Sequence, residues 1–279
     1  MPRLPLTLLS FWFAFAPACF SAASRGTVEI SIASANLSDS FSQSYEEPGI
    51  RILRALKPDV LGIQEFRSQT ESPEALVERI FGPGYHFHRE EGNRLPNGIV
   101  SRFPILAAGQ WPDPFVDDRD FAWATLDVPG PVPLHVVSVH LLNNSPHNRL
   151  PQARALLSHV REQFAPGDYV VLCGDFNVSS RDSPALDELL GYFVDSPVPA
   201  DQEGNPNTNA SRTRPYDFVL PNPALAQYHA PSILGGTVFP RGLVFDSRLW
   251  NPPPPPVLWD DTSRNMQHLP VLKTFRIPR

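Results

Sequence analysis

The sequence predicts an α/β domain in which strands pack at the centre and helices lie outside them. Two patterns carry that expectation. Apolar runs in the two-residue period of a strand recur along the chain, and helical runs bounded by Ser, Pro and Gly fall between them. Composition agrees. The 279 residues are 42% hydrophobic and 19% charged, and the 33 prolines are spread along the chain, as in a folded protein with rigid loops.

The first segment, "MPRLPLTLLSFWFAFAPACFSAAS", has Arg3 ahead of an apolar stretch from Leu4 to Phe15, then small residues at Ser21, Ala22 and Ala23. That is the pattern of a secretory signal peptide over residues 1–23, leaving 24–279 as the domain and implying export to the periplasm or beyond. Lipid attachment through Cys19 is a lesser alternative. The apolar stretch is short for a stable span, so no transmembrane segment is expected in the mature chain. Cys173, alone once Cys19 is removed, is expected to sit in the core with no disulfide.

"TVEISIAS" (27–34) alternates as a strand, and "PGIRILRALKPDV" opens a short helix that Pro58 stops near Lys57. "DVLGIQEF" reads as a buried strand. "SPEALVERIFG" reads as a helix from Ser72, with Pro73 at its first position and Gly82 past its end. From 84 to 141 the pattern is all strand: "YHFHRE", "NGIVSRFPILAAGQW", "FAWATLDV" and "PLHVVSVHL". A helix is predicted over 148–164, with Leu150, Ala153, Leu157, Val160 and Phe164 on its inner face. The strand "VVLCGD", a short helix "SPALDELLG" and strands around "YDFVLPN", "SILGGTVF" and "LPVLKTFRI" complete the order. "NPPPPPVLW" reads as a stiff surface loop. Phe239, Phe245, Trp250 and Trp259 suit either a lipid-facing lip or core, with at least two expected in the core.

Formal net charge is −6, and Lys57 and Lys273 are the only lysines. An acidic chain poor in lysine is a weak electrostatic match for general nucleic-acid binding. The chemistry is expected where apolar strands end on polar residues: Asn36, Glu65, His140, then Asp175 and Asn177, with Asp217 and His268 opening later strands. Asp175 and Asn177, two apart, would share one side of a strand. Carboxylate and amide oxygens suit a hard cation such as Mg²⁺ or Mn²⁺. Zinc patterns such as HExxH and CxxC are missing. An EF-hand reading from Asp175 fails, because its sixth position is Ser180 and its twelfth Leu186. His86 and His88, on one strand face, are expected to be structural.

"IASANL", "DVLGIQE", "NGIVSRFPI", "VVSVHL", "RLPQARAL", "GDFN", "RPYDFVL" and "QHLPVLKTF", in this order from about residue 27 to 277, resemble the endonuclease/exonuclease/phosphatase superfamily, the deoxyribonuclease-I-like hydrolases. The resemblance implies a four-layer α/β sandwich of two facing sheets flanked by helices, with the active site at one edge. It implies that Glu65, with Asn36 nearby, is the main metal ligand. His268 would take a proton from the attacking water while Asp217 holds its other ring nitrogen. Asp175 and Asn177 would orient water and phosphate. His140 would bond the phosphate or help protonate the leaving group. The departure is Gln267, where the family has Asp on the metal side of the site. Glutamine keeps an oxygen donor but loses a charge, so weaker metal binding or a single ion is expected. Arg149, Arg212 and Arg214 are candidates for gripping phosphate, each against a structural alternative.

The function expected is an exported divalent-metal phosphoester hydrolase, acting on nucleic acid, a phospholipid headgroup or a small phosphoester. A catalytically weak module that binds an anionic ligand in the same cleft is the alternative, motivated by Gln267. Fold and site do not choose the substrate, and the sequence carries no indication of oligomeric state.

Overall fold

The computed structural model describes residues 26–263 and 265–279; the predicted signal peptide and Cys19 lie outside the described residues. In chain order come β1 (Thr27–Ala35), α1 (Glu47–Leu56), β2 (Val60–Ile63), α2 (Pro73–Phe81), β3 (His86–Arg89), β4 (Gly98–Ser101), β5 (Ile105–Trp111), β6 (Phe121–Leu126) and β7 (Leu134–His140). There follow α3 (Pro146–Gln163), β8 (Tyr169–Asp175), α4 (Pro184–Leu190), β9 (Asp217–Pro221), α5 (Pro223–Ala226), β10 (His229–Ala230), β11 (Ser232–Leu234), β12 (Thr237–Phe239), β13 (Leu243–Val244) and β14 (Val271–Pro278).

One sheet runs β10-β14-β1-β2-β4-β3, with β13 also on β14; the other runs β5-β6-β7-β8-β9. Within them β1–β2 and β7–β8 are parallel, and the remaining pairs are antiparallel. Their facing sides meet in a core that mixes Ile30, Ile32, Val60 and Ile99 with Ala124, Val136, Val171, Cys173 and Val219. The outer side of the first sheet packs under α1 and α2 through Ala33, Leu61, Leu53 and Ile80. The outer side of the second packs under α3 and α4 through Val139, Leu172, Leu157 and Leu186. This is the predicted four-layer sandwich. Central strands are buried on both faces, which is why β8 reads as a continuous apolar run.

Local rules set the helix ends. Ser72 caps α2 by accepting from the Ala75 amide, with Pro73 at its first turn. Lys57 takes the left-handed conformation (φ 38°) after α1 and its amide bonds back to Leu53. Three expectations need correction. Strand β2 stops at Ile63, before Glu65. "SILGGTVF" is a hairpin, β11 and β12, that turns on Gly235 and Gly236, both at positive φ. Leu150 is only half buried, and Arg149 and Gln152 take places on the inner stripe of α3. Gln152 earns its burial by hydrogen bonding: it donates to Asp113 at 2.6 Å and accepts from the Leu142 amide at 3.1 Å.

Phe239 and Phe245 are core residues, Trp250 packs partly against them, and Trp259 is exposed. Cys173 is a free, buried thiol, as expected. His88 bonds the Gly109 carbonyl and His86 is exposed, consistent with structural or surface roles. No helix among the described residues is long and apolar enough to cross a membrane.

The two sheets meet closely at Gly62, where an added Cβ would stand 2.3 Å from the Cys173 Cβ. Gly62→Ala is therefore expected to destabilise the protein by about 3 kcal/mol, at the upper end of the overpacking range. Urea unfolding of G62A, with partial recovery in G62A/C173G, measures it.

Candidate active site

Strand register builds one wall of the site. His140 at the end of β7 pairs with Asp175 at the end of β8, and Asp175 pairs with Asp217 at the start of β9. Three polar residues thus stand in a row across the edge of one sheet. The parallel pair in the other sheet, whose register aligns Ala35 with Ile63, releases Asn36 and Glu65 at the same edge. Glu65 follows β2 in the left-handed region (φ 51°), which turns the chain away at that point. His268 arrives from the segment before β14, held by a bridge to Asn209 and by the Leu269 amide on the Thr208 carbonyl at 2.7 Å.

These groups line a cleft of about 390 Å³ that contains Asn36, Glu65, His140, Asp175, Asn177, Gln267 and His268. Asp175 Oδ2 is its hub. It accepts from Asn36 Nδ2 at 3.2 Å and faces His140 Nε2 at 3.3 Å and His268 Nε2 at 3.4 Å. Asp217 stands behind His268, with Oδ2 3.0 Å from Nδ1, and its own amide bonds Thr208 Oγ1 at 2.8 Å. Glu65 Oε2 accepts the Ser38 hydroxyl at 2.5 Å, and Asn36 Oδ1 lies 3.3 Å from the same hydroxyl.

Burial works against charge on Asp175, His268 and His140. It drives the Asp175 carboxyl up to about 7, against the opposing pull of His268. Burial also opposes a charge on His268, but the Asp175 and Asp217 carboxylates outweigh it and carry this imidazole up to about 9. The two upward shifts draw on one proton. It rests on His268, because both ring nitrogens face carboxylate oxygens. His140 is pushed well below the usual histidine range by burial, with Arg119 and His268 adding to it. It is neutral; Nε2 faces the Asp175 carboxylate at 3.3 Å and so carries the ring proton, and Nδ1 is left buried without a partner, 3.8 Å from Glu65 Oε1.

Asn177 reaches the cleft by a different route from the one expected. The strand ends at Asp175, and Asn177 is left-handed (φ 51°), so the two do not share a strand face. Its amide bonds Asp175 Oδ1 at 3.0 Å and its side chain donates to the Leu141 carbonyl at 3.0 Å. Gln267 is exposed at the cleft mouth.

The three arginine candidates do not line the cleft. Arg149 is buried and donates to the carbonyls of Leu142 and Asn143, tying down the loop before α3. Arg212 bonds Asp201 at 2.6 Å and Asp246 at 2.8 Å. The Arg214 guanidinium donates to Tyr216 Oη at 3.2 Å. The arginines that do line the cleft are Arg94 and Arg119, which sequence reasoning passed over. Arg119 donates from Nε to the His140 carbonyl at 2.6 Å, and both arginines pair with Asp118. The run "VDDRD" around Arg119 offers no periodicity from which its inward aim could be read.

Residues 50–265 match the profile of the Endonuclease/Exonuclease/phosphatase family. The chain belongs to that family. Family members generally hydrolyse phosphoesters. Solved structures with the same fold include an endonuclease/exonuclease/phosphatase from Beutenbergia cavernae, with TM-score 0.60 and 17% identity over 90% of this chain and 72% of that one. A mannosyl-6-phosphatase from Bacteroides thetaiotaomicron has TM-score 0.58 and 16% identity, over 89% of this chain and 99% of its own. An AP endonuclease from Archaeoglobus fulgidus has TM-score 0.57 and 19% identity, over 88% and 99%. None of the curated proteins matches the sequence.

Endonuclease/exonuclease/phosphatase proteins usually employ a divalent cation, and two places in this cleft offer ligands for one. Asp175, Asp217 and His268 present ligand atoms within 4.8 Å of one another. Their carboxylate oxygens already flank the His268 ring, so a cation there would displace the imidazolium proton. The second place lies between Glu65 and His140. Glu65 Oε1 and the unpartnered His140 Nδ1 face each other as two acceptors with no donor between them, beside Asn36 Oδ1. Unmet acceptors of this kind fit a hard cation.

Proposed function

We propose that this chain is an exported phosphoester hydrolase that works with a divalent cation, Mg²⁺ or Mn²⁺. One observation carries the reading. An acid-acceptor wall, Glu65 and Asn36, and a proton-handling pair, Asp175 and His268 with Asp217 behind it, open onto the same cleft. Glu65 and Asn36 would hold the cation, with Gln267 at the rim, and the cation would supply charge that stabilises the phosphoryl and departing oxygens. His268 Nε2 is the group that accepts a proton from water, and Asp217 fixes the ring by its bond at Nδ1. Neutral His140 would turn its Nε2–H from Asp175 to the phosphate or the leaving oxygen, since Nδ1 is buried and carries no proton. Export is supported by the N-terminal sequence alone.

Hydrolysis of bis(p-nitrophenyl) phosphate with Mg²⁺ or Mn²⁺, abolished by chelator, tests the reading. A panel of single- and double-stranded DNA, RNA, sphingomyelin, phosphoinositides and simple diesters then ranks substrates. Cation-independent binding of phosphate with no turnover on any member would identify a binding module instead. Gln267→Asp is expected to tighten Mg²⁺ activation roughly five- to tenfold, the effect of one added carboxylate at an exposed cleft mouth. Magnesium titration of both proteins checks this, and equal half-saturation removes the role given to Gln267.

A further inference from the structure

One wall of the cleft consists of two loops, 90–97 between β3 and β4 and 112–120 between β5 and β6. They supply Arg94 and Leu95, and Phe115 to Arg119, respectively. A fully buried carboxyl, Glu90, sits between them. Its Oε2 accepts from the Asp120 amide at 3.1 Å and from Asn93 Nδ2 at 3.0 Å. Its amide donates to the Asn97 carbonyl at 3.0 Å, and Asn97 Nδ2 donates across to the Asp120 carbonyl at 2.7 Å.

Two atoms of this knot are left over. Glu90 Oε1 and Asn97 Oδ1 are both buried acceptors without a partner, and the two side chains stand side by side: their residues are paired through the Glu90 amide, and both reach Asp120. Turning the Asn97 amide over does not help, because its oxygen would then face the Asp120 carbonyl. A single proton on Glu90 Oε1 satisfies both atoms at once.

We propose that Glu90 is a positioning residue that clamps the two wall loops as a neutral carboxylic acid, donating from Oε1 to Asn97 Oδ1, so that loss of its proton loosens the wall carrying Arg94 and Arg119. Burial supports this by driving the Glu90 carboxyl up to about 7, over the opposing bonds from Asp120, Asn97 and Asn93.

Arg89 interacts with the Glu90 charge through space, but no cation hydrogen-bonds the carboxyl. The Arg89 guanidinium is turned to the carbonyls of Phe66 and of Glu90 itself. Arg94 and Arg119 are paired with Asp118. The Asp120 carboxylate is taken by Gln110 and the Asp113 amide, the His88 ring bonds Gly109, and Glu91 is exposed.

The folded protein therefore holds a proton that the unfolded chain releases at the ordinary value of 4.5, and stability from this group falls as pH rises from there through about 7. Glutamine is the isostere of the protonated acid. Its carbonyl replaces Oε2 and its NH₂ replaces the Oε1 proton.

Urea unfolding of wild type and Glu90→Gln between about pH 5 and pH 8 tests the clamp. The ratio of the E90Q to the wild-type folding constant is expected to start near one and rise by roughly a hundredfold. A ratio that does not change with pH overturns the proposal. Kinetics on the diester supply a second readout. KM of the wild type should rise over the same range while that of E90Q stays level, with the ratio of their kcat values unchanged. That readout alone rests on the hydrolase reading. If neither protein hydrolyses any phosphoester, the hydrolase reading falls, and the unfolding ratio still decides the clamp. Should E90Q fail to fold, the infrared carbonyl band of a protonated acid in the wild type at about pH 6 reads the same proton, and its absence overturns the proposal.

Discussion

His268→Ala is expected to lower kcat for phosphodiester hydrolysis by about 10²–10⁴-fold, the range for removing a positioned general base. The ring is fixed from both sides. Nδ1 lies 3.0 Å from Asp217 and Nε2 faces Asp175 at 3.4 Å in the cleft. The variant removes the only one of these groups able to take a proton from water and pass it on without itself being a carboxylate hub. A base acts when neutral. The same two carboxylates that orient His268 also carry it up to about 9 against the effect of burial. The rate is therefore expected to climb as pH rises towards that value, and H268A should lose this limb of the profile. Steady-state kinetics across pH, with circular dichroism to show that the fold is retained, measure both. An H268A protein as active as wild type would end the assignment of His268 as the base.

Arg212→Ala is expected to cost about 3–5 kcal/mol of stability, as when one partner of a buried ion pair is removed and the other charge is left unmet. The guanidinium is 14% exposed, and the carboxylates it bridges are 1% and 3% exposed. Its Nε also donates to the Asn207 carbonyl, so the residue knits the 201–214 loop to Asp246. Lysine should not rescue, because it lacks the fork that spans two acids.

Acid sensitivity follows with a definite sign. Burial pushes Asp246 up, but hydrogen bonds from Arg248 and Thr262 and the Arg248 charge hold it at about 2. The stability from this group is present above about pH 4 and lost as pH falls towards 2. Removing Arg212 takes one of two guanidinium groups from Asp246 and is expected to move acid unfolding to higher pH. Had Arg212 gripped substrate phosphate, R212A would raise KM at little cost in stability. Denaturation curves and KM together separate the two roles.

The sandwich and its strand-end residues were readable because each depends on local pattern. A buried strand is an unbroken apolar run, and the polar residue that ends it stands out. Asn36, Glu65, His140, Asp175, Asn177, Gln267 and His268 came together at one cleft for that reason. Asp217 was readable at the start of its strand, although it serves from behind His268. The arginines were not readable. Whether a loop arginine faces phosphate or acid depends on partners far along the chain: for Arg212 they are 11 and 34 residues away. Arg149 looked like a helix-end charge, yet its task is to satisfy loop carbonyls that no helix or sheet can reach. Ser38, which joins Glu65 to Asn36, is a small hydroxyl in a turn-rich stretch and gave no pattern at all.

Cys173 turns the tight meeting of the sheets into a clock. Among the described residues it is the one thiol, it is sealed against Gly62, and burial pushes it up to about 12, so it is inert while the halves stay closed. A thiol-specific dye can mark it only when the layers part, and the marking rate counts those excursions directly. The protein thus carries its own gauge of how often its interior breathes, at a point two residues along β8 from Asp175 at the cleft edge.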